Sequence, residues 1–164
     1  MKLHLNWGFV ADGVMGGLST GTLHHAVVNG RPAAVLQGQV SLENNGGFVQ
    51  MATYLHTDGT ALDASAWDGI ALDVCGNGQT YDLRLRTDQL TRPWQSFRTA
   101  FSTSREWQTV HIPFATLTAH KTDSLFNPTQ LRRIGVLAIG RAFDADVAVA
   151  AVHLYKSTKG PENE

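Results

Sequence analysis

The chain has 164 residues, enough for one ordinary domain and too few for two. A formal net charge of −1 with no basic stripe excludes the electrostatic footprint of a nucleic-acid binder. Charged residues make up only 16% and there are 16 glycines, a balance that suits a sheet protein with many turns better than a helical bundle.

The N-terminus, Met1-Lys2-Leu3-His4-Leu5-Asn6, has no long apolar run and no small-residue cleavage site, which predicts a cytoplasmic protein. The longest strongly apolar stretch, 147–152, is far too short to span a bilayer. Next comes a glycine-rich segment, Asp12-Gly13-Val14-Met15-Gly16-Gly17-Leu18-Ser19. Beyond it, alternating segments at 21–28 and 33–42 flank Asn29-Gly30, a pair that favours the positive φ angles of a hairpin turn. Asn45-Gly46 separates 33–42 from 48–55, and Asn77-Gly78 separates 70–75 from 80–87, so three hairpins are expected. Leu83 and Leu85 alternate with Asp82, Arg84 and Arg86, and Ile112 alternates with His111, as half-buried strands require. The segments 134–139 and 147–155 are apolar on both faces, which predicts central strands. Helical signals are confined to a turn at 128–133, with Asn127 as N-cap before a proline, and another at 61–67. About nine strands with frequent turn signals point to an all-β sandwich or a barrel. The expected division is one domain over 1–155 and a flexible tail over 156–164.

Two glycine-rich loops stand out, the first above and Leu42-Glu43-Asn44-Asn45-Gly46-Gly47-Phe48. Neither precedes a helix, so neither is a phosphate-binding loop. Paired glycines serve tight turns or close approach by another group. If the loops meet, Asp12, Met15, Ser19, Asn44 and Asn45 could line a site for a ligand or partner. Arg84 and Arg86 share the polar face of one strand, with Arg98 as a neighbour from the next. They could hold a carboxylate, a phosphate or sugar hydroxyls, or pair with Asp73 or Asp82 on a solvated face. Trp94, after Pro93, is a candidate for stacking on a sugar ring or a loop anchor, whereas Trp7, Trp67 and Trp107 are expected to pack in the core.

The lone cysteine, Cys75, permits no internal disulfide and has no evident histidine partner. His24 and His25 are neighbours on a strand and point to opposite faces, and no metal-ligand spacing occurs, so neither metal nor cofactor is expected. No nucleophile elbow is present, and no catalytic residue is assigned.

Trp7 with the Asp12–Ser19 segment resembles the opening signature of the complex I intermediate-associated protein 30 family. The resemblance continues through residues 38–48, Asp68-Gly69-Ile70, 76–81, Leu83-Arg84-Leu85-Arg86, Ala100-Phe101 and 107–114. It implies a galactose-binding-like β-sandwich, a jelly roll akin to carbohydrate-binding modules. It implies a non-catalytic module for respiratory complex I assembly with a protein partner, or one that binds a sugar-like small molecule, without nucleic acid and without crossing a membrane. Departures from the family pattern are Asn77 in place of an expected aspartate, Phe97 in place of a tyrosine, and the segment 115–123.

Overall fold

The computed structural model describes residues 1–157, apart from the side chains of Val14, Met15 and Asn45. Among these residues twelve strands form two antiparallel sheets. The strands are β1 (Lys2–Leu3), β2 (Gly8–Ala11), β3 (Thr20–Val28), β4 (Arg31–Val40), β5 (Phe48–Tyr54) and β6 (Gly69–Gly76). They continue as β7 (Thr80–Thr87), β8 (Ser96–Ser102), β9 (Gln108–Pro113), β10 (Thr118–His120), β11 (Leu131–Ile139) and β12 (Phe143–Tyr155). The first sheet runs β3-β4-β12-β6-β9, with β1 also on β12; the second runs β10-β8-β7-β11-β5-β2. The architecture is an all-β sandwich, and the barrel alternative falls away because each sheet keeps two edges.

The core lies between the inward faces. Leu36, Val147 and Ile70 from the first sheet meet Met51, Leu83, Leu85, Ile134 and Val136 from the second, all fully buried. Burying one such side chain stabilises the fold by about 1.5–3 kcal/mol. The apolar strands β11 and β12 are central in their sheets, as their two-faced apolarity requires. Each carries an irregularity, β12 between Val149 and Ala151 and β11 at Arg132. Trp7 and Trp67 are partly buried against the core, and Trp107 donates its indole N–H to the Val28 carbonyl.

Only one of the three expected hairpins forms. Asn29 and Gly30 take φ of 45° and 83°, and β3 pairs with β4. The other two Asn-Gly segments carry the chain from one sheet to the other, since β4 and β6 lie in the first and β5 and β7 in the second. At the first of these crossings the left-handed residues are Asn44 and Gly47, not Asn45 and Gly46. At the second, only Gly78 is left-handed, and Asn77 uses its side chain to donate to the Asp144 carbonyl and accept from Tyr81.

The turn at 128–133 is a single 3-10 turn, Pro128–Gln130, capped by Asn127 Oδ1 accepting from Thr129 N–H at 3.0 Å; Leu131 already begins β11. At 61–67 no helix forms; a turn closes through Trp67 N–H to Ala64 O at 3.0 Å. Most of the expected tail, from 158 onward, lies outside the described residues.

Candidate functional site

The two glycine-rich loops do meet, and what they meet around is Asp12. Its side chain is fully buried. Oδ1 accepts from Ser19 N–H at 3.0 Å, while Oδ2 accepts from Ser19 Oγ–H, Gly47 N–H at 2.6 Å and Phe48 N–H at 3.2 Å. Ser19 Oγ in turn accepts from Ser41 N–H at 2.8 Å. Burial raises the carboxyl pKa, but the bonds from Ser19, Gly47 and Phe48 outweigh it and hold the group below its ordinary value. The glycines make room for this. A Cβ on Gly17 would overlap Asp12 Cγ and come within 2.8 Å of Gly46 Cα, and one on Gly46 would lie 2.5 Å from Asp12 Oδ2. Asp12 and Ser19 therefore form an internal lock, with their polar atoms spent inside the protein. Asn44 is exposed beside the lock, while the side chains of Met15 and Asn45 lie outside what is described.

The arginines lie elsewhere. Directly paired residues on antiparallel strands share a face. On the outer face of the second sheet, Arg98, Arg84, Gly135, Ala52 and Gly8 follow one another across β8, β7, β11, β5 and β2. On one side of this row stand Asp82, Leu137, Gln50 and Val10. On the other stand Arg86, Arg133 and Tyr54. The last three residues of the row, Gly135, Ala52 and Gly8, have no side chain larger than a methyl group. They floor a trough across the sheet, headed by Arg84 and walled by rows about 13 Å apart, twice the two-residue repeat of a strand. The Gln50 amide bends over the floor, with Oε1 2.8 Å from where a Cβ of Gly135 would be.

Asp82, buried on this face, anchors the head of the trough. It accepts from Arg84 Nε at 3.2 Å and Nη2 at 3.1 Å, and from Arg98 Nε at 3.0 Å and Nη2 at 3.4 Å. Pairing with Asp82, one of the alternatives foreseen for these arginines, is what the structure shows, and the carboxylate is buried beneath them. Burial, then the charges of Arg84, Arg98 and Lys121, lowers the His120 pKa from its ordinary value.

Arg86 has a different task. Its guanidinium donates to the carbonyls of Arg92 at 2.7 Å and of Gln95, holding the β7–β8 loop. That loop carries Trp94, which is 57% exposed. Arg86 and Trp94 lie at the Tyr54 end of the sheet, whereas the Asp12 lock touches Phe48 at the other end of β5, roughly 20 Å away at 3.4 Å per residue. The glycine loops and the arginine face are two separate places. Arg98 belongs to the arginine face, as foreseen. Gln50, Tyr54, Arg133 and Gly135 also belong to it and were not foreseen; a glycine inside the apolar β11 and two adjacent arginines, Arg132-Arg133, were the available signals.

Among the described residues no three His, Cys, Asp or Glu side chains cluster as a metal site would need. Among the same residues no helix is long and apolar enough to cross a membrane.

Solved structures with this fold include carbohydrate-binding modules. A family 11 module of a cellulosomal cellulase from Clostridium thermocellum superimposes with a TM-score of 0.75 at 13% identity, covering 94% of this chain and 89% of that one. The family 11 module in complex with a β-1,3-1,4-mixed-linked tetrasaccharide, also from Clostridium thermocellum, gives 0.73 at 13% identity over 93% and 89%. A family 30 module of another cellulosomal cellulase of that organism gives 0.64 at 19% identity over 96% and 95%. Such identities establish a shared β-sandwich fold and nothing finer. No curated protein matches the sequence. The model of one family does match, over residues 2–149, and the chain belongs to it: the complex I intermediate-associated protein 30 family.

Proposed function

We propose that this chain is a non-catalytic binding module that holds a glycan across the outer face of the second sheet. The observation that carries the reading is the trough floored by Gly135, Ala52 and Gly8, with Arg84, Gln50, Arg133 and Tyr54 around it. Planar polar groups beside a floor without side chains suit flat, hydroxyl-rich rings. The likeness in fold to modules that bind carbohydrate supports it. A non-catalytic role is supported by the state of the buried carboxylates. Asp12 is sealed in its lock and Asp82 is engaged by two arginines, so neither can carry a proton to a ligand.

The test is a glycan array probed with the wild type and with Gly135→Leu, whose side chain would fill the floor. The nearest atom in its way belongs to the flexible Gln50 side chain, so the variant is expected to fold. Retention of a glycan by the wild type and its loss in the folded variant is the expected result. Equal retention by both would place the ligand elsewhere.

A second reading comes from family membership. It makes the chain an interaction module in assembly of a respiratory complex. Co-purification from the native host tests it, and failure to enrich any complex I subunit or assembly intermediate would count against it.

A further inference from the structure

We propose that the trough takes an acidic oligosaccharide, a chain of sugar rings bearing carboxylates, and that Arg84, Arg98 and Arg133 recognise its charge. The inference rests on the glycan-binding reading and narrows it to a ligand class.

Charge is the first argument. The whole chain carries a net charge of −1, yet the face gathers Arg84, Arg86, Arg98, Arg132 and Arg133 around one buried carboxylate, Asp82. Asp88, 3.8 Å from Arg132, is the one further carboxylate paired there among the described residues. Two guanidiniums sharing Asp82 leave a net positive charge at the head of the trough.

Unspent donors are the second. The bonds to Asp82 use Nε and Nη2 of Arg84 and Arg98, so Nη1 of each makes no hydrogen bond among the described residues. Asp82 fixes both forks, which lowers the entropy lost when they take an anion. The Arg133 side chain makes no hydrogen bond among the described residues; its guanidinium lies 5.0 Å from the Tyr54 ring centroid. Arg132 lies 5.4 Å from the same centroid, because the irregularity in β11 at Arg132 brings adjacent arginines to one ring. Tyr54 is the exposed aromatic of the trough wall, and its ring already serves two guanidiniums. A neutral sugar would have to displace them to stack there, whereas a carboxylate would bind to them.

Shape is the third. The Gly135–Ala52–Gly8 strip offers no apolar pocket of the kind that anchors a peptide side chain; once the flexible Gln50 side chain that covers it swings aside, it gives a flat bed for rings. The acidic partner is therefore a saccharide.

Isothermal titration of the full chain with tetragalacturonate, cellotetraose and hexaglutamate tests this, at low and at roughly 0.3 M salt. Tetragalacturonate is expected to bind about tenfold or more tighter than cellotetraose at low salt, and to weaken severalfold when exposed charges are screened. Arg133→Gln is expected to lose about fivefold to tenfold in affinity for tetragalacturonate with an unchanged unfolding midpoint. Arg84→Gln should lose at least as much. Because it also frees Asp82, Arg133→Gln decides the matter if Arg84→Gln fails to fold. Cellotetraose binding as tightly as tetragalacturonate would overturn the charge inference and leave the glycan-binding reading standing. Hexaglutamate binding as tightly would overturn recognition of rings. Tetragalacturonate binding that ignores Arg133→Gln would remove it from the trough. No binding of either saccharide at millimolar concentration would overturn the inference and the reading beneath it.

Discussion

Asp12 is the residue on which two loops close, and its chemistry fixes the sign of one pH effect. The folded carboxyl sits below its ordinary value of 3.8, so the unfolded chain binds the proton more readily. Its contribution to stability is therefore complete above about pH 4, near the unfolded value, and is lost as the pH falls through the lower folded value. Asp12→Asn turns one acceptor oxygen into a donor facing N–H groups that must stay buried. Charge-assisted bonds contribute about 1.5–3 kcal/mol, so a loss of roughly 3 kcal/mol at pH 7 is expected. Urea denaturation of both proteins at pH 7 and pH 3 checks it. The gap between them should narrow at pH 3, and an equal gap at both would mean that the charge of Asp12 does not matter.

At the scale of the turns, two glycines are required for opposite reasons. Gly30 has a φ of 83° and open space where a Cβ would be, so Gly30→Ala meets only backbone strain, about 1 kcal/mol. Gly17 has no such φ, but a Cβ there would strike Gly46 Cα and the Cγ of the fully buried Asp12. Gly17→Ala is expected to cost about 3 kcal/mol or more, because the lock must open to admit it. Chemical denaturation midpoints rank the two; Gly30→Ala as the more damaging would refute the lock. The contrast shows what could be read from the sequence. Alternation located the strands, and two-faced apolarity correctly put β11 and β12 at the centres of their sheets. Asn-Gly marked tight turns, but the same local chemistry serves a hairpin at Asn29 and crossings between sheets at Asn45 and Asn77. Pairing is decided by distant partners such as Asp12, which draws in Gly47 and Phe48. The trough was hidden for the same reason. Its floor comes from β2, β5 and β11, whose register no local signal states.

Across the whole molecule, the features bearing on stability are spread far enough apart to open separately. The Asp12 lock ties β2 and β3 to the start of β5, while Cys75 lies on β6 of the first sheet, 6% exposed. Its Sγ–H donates to the Arg105 carbonyl at 3.3 Å, and Asn29 Nδ2 donates to the same carbonyl at 2.8 Å. Asn29 thereby clasps the β3–β4 turn to the segment between β8 and β9, both at the surface. Opening this clasp exposes the thiol at less cost than unfolding the sandwich, so a thiol reagent should reach Cys75 through local opening. Asn29→Gly keeps a residue that accepts a positive φ and removes only the clasp. One such hydrogen bond is worth about 1 kcal/mol, so labelling should quicken about fivefold. Asp12→Asn, acting on a separate cluster, should leave the labelling rate unchanged in native conditions while lowering global stability. Labelling that rises in Asp12→Asn by the full factor of its stability loss would mean that Cys75 is reached only by global unfolding, and that the two ends of the sandwich open as one unit.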